Sequence, residues 1–156
     1  MVSVETLKGI TIFRELADYE LENVAKTAYE ETYESGQRIF AEGAWAQRMY
    51  VLVEGEVDIR IRPNKVSDQL TVDTIREGEI FGWSALTEPY SLTAAAWAVK
   101  KSKVVVLRGD GLRDLFEKNN HIGFLVIKGI ASVISSRLRK TRTRILELMQ
   151  SHDGII

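Results

Sequence analysis

Gly78 and Gly82 stand four residues apart, and Gly82 is followed by Trp83-Ser84-Ala85-Leu86 and then by Pro89-Tyr90-Ser91-Leu92-Thr93. Glycine at a strand end lets the backbone approach a ligand closely, and a short helical turn after it aims unbonded N–H groups at an anion. A turn over Gly82–Leu86 would offer the amides of Ser84, Ala85 and Leu86. The same glycines serve as ordinary positive-φ turn residues, so spacing alone leaves both readings open. A second charged feature lies near the C-terminus, where the segment Arg137 to Arg144 holds five cations and no acid. The chain has 21 basic and 22 acidic residues, so outside that segment 16 cations face 22 acids and the body is acidic.

Other chemistries are poorly supplied. There are no cysteines, which removes thiol nucleophiles, disulfides and zinc–thiolate sites. The two histidines, His121 and His152, are far apart and build no metal cage. No serine–histidine–acid order or phosphate-binding Walker loop stands out, so the expectation is a protein that is not an enzyme, with no catalytic and no metal-binding residue. No apolar run approaches the roughly 20 residues of a membrane span, and no signal peptide opens the chain. A cytoplasmic protein with no membrane partner is expected.

The elements that must position the glycine segment follow from periodicity. In 156 residues one domain is expected, spanning 1–156. Leu7, Ile10, Phe13, Leu16, Leu21, Val24 and Ala28 recur at helical intervals and predict helices over about residues 5–33, broken near Glu15 to Asp18, with Asp18 as an N-cap. Val57-Asp58-Ile59-Arg60-Ile61 alternates as a strand with one wet face does. Further strands fit Gln37–Ala41, Arg48–Val53, Leu70–Arg76, Thr93–Lys100 and Lys103–Leu107, between glycine and proline breaks. The fold class predicted is α+β, mainly β: an eight-stranded antiparallel β-roll over about 36–108, jelly-roll-like, flanked by N-terminal helices and C-terminal helices over about 111–150. In the last helix, Ile127, Ala131, Ile134, Leu138, Thr141, Ile145 and Leu148 form a heptad seam three repeats long, and a helix of about 30 residues cannot be covered by so small a body. A homodimer through residues 127–148 is predicted.

Glu42-Gly43, ahead of Tyr50-Val51-Leu52-Val53-Glu54-Gly55-Glu56-Val57, resembles the opening strands of cyclic nucleotide-binding domains. Gly78-Glu79-Ile80-Phe81-Gly82-Trp83-Ser84-Ala85-Leu86 with Pro89-Tyr90-Ser91-Leu92-Thr93-Ala94 resembles the phosphate-binding cassette of that family, as found in the sensor half of bacterial catabolite-activator and Fnr-type regulators. The resemblance implies a regulatory ligand-sensing function with cyclic AMP or cyclic GMP as the ligand class and a small anionic molecule as partner. It places a ligand against Gly82, Trp83, Ser84, Ala85, Leu86, Tyr90, Ser91 and Thr93, with Thr141 and Arg142 reaching in from the long helix. Family members that bind the nucleotide carry an acid after the glycine, for the ribose, and an arginine near the cassette's end, for the phosphate; here Trp83 and Tyr90 take those positions. Losing both contacts would weaken a micromolar site roughly a hundred- to a thousand-fold. The alternative is a dimerisation or scaffold module whose pocket Trp83 and Tyr90 plug. Catabolite-activator relatives continue into a helix-turn-helix domain, and nothing after Met149 resembles a recognition helix, so DNA is not an expected partner.

Overall fold

The alternation of Val57–Ile61 sets the frame. Val57 and Ile59 turn inward opposite Ala98 and Ala96, while Asp58 and Arg60 turn outward opposite Trp97 and Ala95. The computed structural model describes residues 2–153. Its eight strands are β1 (Ala28–Tyr33), β2 (Arg38–Phe40), β3 (Arg48–Glu54), β4 (Val57–Ile61), β5 (Leu70–Ile75), β6 (Ile80–Phe81), β7 (Ala95–Ala98) and β8 (Ser102–Arg108). They form two four-stranded antiparallel sheets, ordered β1-β8-β3-β6 and β2-β7-β4-β5. Around them lie α1 (Val4–Lys8), a 3-10 turn (Thr11–Phe13), α2 (Asp18–Ala25), α3 (Gly109–Lys118) and α4 (Asn120–Asp153). The mainly β roll with flanking helices is the architecture that the periodicity predicts.

The inner strands of the first sheet, β8 and β3, are buried on both faces. Val104 and Val106 face the second sheet with Tyr50, Leu52 and Phe81, while Val105 and Leu107 face the helices with Met49, Leu112, Ile122, Val126 and Ile130. A strand covered on both sides reads as a continuous apolar run, which is what Val104–Leu107 is.

Two boundaries depart from the sequence expectation. The helical reading overruns: Ala28–Tyr33 is a strand in register with β8, from Ala28 opposite Leu107 to Tyr33 opposite Ser102. Ala28 continues the helical spacing by coincidence, and pairing to the apolar β8 overrides that local preference. The carboxylate of Glu31 is tolerated there because an Arg48 Nη1 lies 2.8 Å from it and the Tyr33 hydroxyl donates to it. Helix α2 is capped by Ala17, not Asp18, and Glu20 in its first turn accepts the Ala17 N–H at 3.0 Å.

Helix α4 runs unbroken for 34 residues, about 51 Å at 1.5 Å per residue. Ile122, Val126 and Ile130 are buried in the core and Val133 packs against it, a body-facing stripe beside the heptad seam. The seam itself is open: Ile127, Ile134, Leu138, Ile145 and Leu148 are exposed, and from Leu138 to Ser151 every residue is exposed. As a whole helix, Asn120–Ser151 is long and apolar enough to cross a membrane by length and composition, which amends the expectation drawn from uninterrupted runs; part of that apolarity is the buried stripe.

Candidate functional site

The cassette begins where β6 ends. Gly82 has φ 76°, the left-handed region that glycine enters without cost, and it lies so close to β3 that a Cβ would stand 3.0 Å from the Tyr50 ring. The chain then makes one 3-10 turn, Trp83–Leu86. The turn predicted for the cassette is present, with Ser84 among its free amides as expected, whereas Ala85 is bonded within it. Ala85 donates its N–H to the Gly82 carbonyl at 3.3 Å, so the amides ahead of that first bond, on Trp83 and Ser84, are the ones with no acceptor inside the turn.

The second half folds back along residues 43–46. Tyr90 stands at φ 56°, an unusual conformation for a bulky residue. A ladder of backbone bonds holds it: Ala46 N–H to the Tyr90 carbonyl at 2.7 Å, Leu92 N–H to Ala44 at 2.9 Å and Gly43 N–H to Leu92 at 2.7 Å. Ser91 bridges to Trp45 across this ladder, while Leu92 packs with Ala46 and Ala85. Among the described residues, the hydroxyls of Ser84 and Ser91 are bonded to no protein group. Thr93 is exposed.

Two arginines that the sequence reasoning did not single out close the site. Arg113 of α3 donates to the Ala85 carbonyl and lies 4.6 Å from the Tyr90 ring centre. Arg137 of α4 donates to the Ile80 carbonyl, lies 4.6 Å from the Trp83 ring centre and has Asp73 of β5 at 3.8 Å. The Arg137 side chain is 16% exposed, and burial pulls its proton affinity down while Asp73 and Glu79 pull it up. Each bulky ring of the cassette is therefore faced by a cation from a different C-terminal helix, a contact worth up to about 2 kcal/mol when desolvated. Trp83 and Leu86 also pack on the core that α4 shares.

The expected cassette residues Gly82, Trp83, Ser84, Ala85, Leu86, Tyr90 and Ser91 thus come together. Thr141 and Arg142 do not join them within this chain: the Thr141 hydroxyl donates to the Arg137 carbonyl at 2.9 Å, and Arg142 is exposed without a hydrogen bond or ion pair among the described residues. The cation against the cassette is Arg137, one helical turn earlier. A signal for it exists, since Ile122, Val126, Ile130, Val133 and then Arg137 continue one face of α4.

Residues 30–119 match the sequence profile of the cyclic nucleotide-binding domain. The chain belongs to the cyclic nucleotide-binding domain family. Within it, a protein of Geobacter metallireducens GS-15 whose name places it among cyclic nucleotide-binding proteins is 32% identical, with a TM-score of 0.79 over 88% of this chain and 99% of that one. The CRP-like cAMP-activated global transcriptional regulator of Mycobacterium tuberculosis is 24% identical over 93% of this chain and 62% of its own. The cAMP-dependent protein kinase regulatory subunit of Eremothecium gossypii is 29% identical over 70% of this chain and 23% of its own length. The chain thus spans less than two thirds of these curated relatives.

Proposed function

We propose that this cyclic nucleotide-binding domain is a regulatory sensor that takes an anionic small molecule in the 82–91 cassette, cyclic AMP or cyclic GMP first among candidates, and passes its occupancy to α4. The observation that carries the reading is Arg137: a largely buried guanidinium set against Trp83, with its nearest carboxylate at 3.8 Å. A buried cation with so loose a partner is under-compensated, and a ligand phosphate beside the Trp83 and Ser84 amides would compensate it. Gly82 gives the close approach, Ser84 and Ser91 supply hydroxyls, Ala85 and Leu86 hold the turn, and Trp83 and Tyr90 wall the ligand, with Thr93 at the rim. Arg137 sits one residue before Leu138, where α4 leaves the body, so a ligand that draws the guanidinium off the indole biases the helix. It does so only by contacting the two arrangements differently.

The exposed seam from Ile127 to Leu148 supports a homodimer, in which Thr141 and Arg142 of a partner copy approach the cassette. We read the protein as cytoplasmic and without enzymatic activity, its output carried by α4 rather than by contacts to DNA or a membrane.

A second reading rests on the same two arginines. Arg113 and Arg137 already occupy both rings, which is how a plugged, non-binding dimerisation module would look. The thermal midpoint separates the two. A ligand at ten times its Kd adds about 1.4 kcal/mol, so cyclic AMP or cyclic GMP at several millimolar raises the midpoint in the sensor and leaves it unchanged in the plugged module.

A further inference from the structure

Next to the 43–46 ladder that backs the cassette, on the outer face of the second sheet, a cavity of about 420 Å³ opens between the end of β2, the β4–β5 hairpin and β7. Three cations line it, Arg38, Arg62 and Lys65, against one acid, Glu42. None of the three has a carboxylate within 4.0 Å among the described residues, whereas the neighbouring Arg60 is paired with Asp58 at 3.2 Å. Glu42 is otherwise engaged: its carboxylate accepts the Arg62 backbone N–H at 3.0 Å.

All three cations are exposed, Arg38 beside an aromatic ring and Lys65 on an ordered turn. Arg38 lies 5.9 Å from the ring centre of Trp97, which has Arg60 at 5.5 Å as well. Lys65 is carried on a hairpin tip folded by Asn64, whose side-chain oxygen accepts the Val66 N–H at 3.0 Å and the Ser67 N–H and hydroxyl, both at 2.8 Å. Three exposed like charges around one hollow raise the local positive potential in a body with an excess of acids, and that potential, screened by salt, draws an anion. Two guanidinium forks suit phosphate geometry, and the net charge of the lining suits the −1.5 to −2 that a phosphate monoester carries near pH 7.

We propose that this cavity is a second, separate anion site that takes a phosphorylated small molecule. The test is a titration of the ¹⁵N-labelled full chain with inorganic pyrophosphate, read amide by amide. The site predicts saturable shifts at Arg38, Glu42, Arg62, Lys65 and Gln69, and at least tenfold weaker binding in Arg62→Gln/Lys65→Gln, given the strength of charge-assisted hydrogen bonds. Arg38→Gln is a second variant from another element, and the unchanged remainder of each spectrum reports that the variant folds. Shifts confined to the cassette, shifts that do not saturate, or shifts that survive in both variants would overturn the proposal.

Discussion

The guanidinium of Arg137 covers the indole of Trp83 at 4.6 Å while donating to the carbonyl of Ile80, so one side chain of α4 grips the cassette and the strand that leads into it. That contact ties the long helix to the cassette at the last point where the helix touches the body.

Removing the grip should be costly. Arg137→Ala is expected to lose about 2–3 kcal/mol, a desolvated cation–π contact and a charge-assisted hydrogen bond being lost while relief of the guanidinium's burial offsets part of that loss. Arg137→Lys keeps the charge but loses the planar fork, and it should recover only part of the loss. Urea unfolding of both variants measures the difference.

Arg113 should act on the other half of the cassette. With Arg113→Ala the Ala85 carbonyl loses its donor and Tyr90 its cover, so the strained turn at Tyr90 is held by the 43–46 ladder alone. Amide hydrogen exchange over residues 86–92 should speed up, while exchange in β8 stays slow.

How far the sequence reveals this arrangement depends on what covers each residue. Val57–Ile61 is legible because apolar and charged residues alternate strictly along it, although the structure leaves the charged side half-buried, and the cassette is legible because Gly82 must take a positive φ against Tyr50. Ala28–Tyr33 is not, since its strand exists only through pairing with β8. In the basic segment, charge alone does not say which cation turns inward; only the phase of Ile122, Val126 and Ile130 picks out Arg137 rather than Arg142. Arg113 carries no comparable sign, because its partner carbonyl at Ala85 is distant in sequence.

Acid should loosen the N-terminal unit. Glu20 is buried, accepts the Ala17 N–H and lies 2.6 Å from His121 Nδ1; the Ala17 bond first, with His121, holds its carboxyl below the usual glutamate range against the opposing effect of burial. A carboxyl held down in the folded state contributes stability that is present above its unfolded value and fades as pH falls through the folded one. Stability measured by urea unfolding should therefore fall from about pH 4.5 downward, and Glu20→Gln should remove that part of the acid limb while lowering stability at neutral pH.

Charge placed on the open seam should separate two copies. Leu138 and Ile145 are 50% and 51% exposed in the single chain. By light scattering the wild-type chain should have twice its mass of 17.6 kDa, and Leu138→Glu/Ile145→Glu should have that mass once. An unchanged wild-type mass of one chain would remove the dimer.

The link between cassette and helix is tested most directly by hydrogen exchange over residues 80–91 and 134–150, with and without saturating cyclic AMP or cyclic GMP. The account predicts that ligand slows exchange in the cassette and changes it in α4 together, and that Arg137→Ala abolishes the α4 response. Protection confined to the cassette, or no change with either nucleotide, would contradict it.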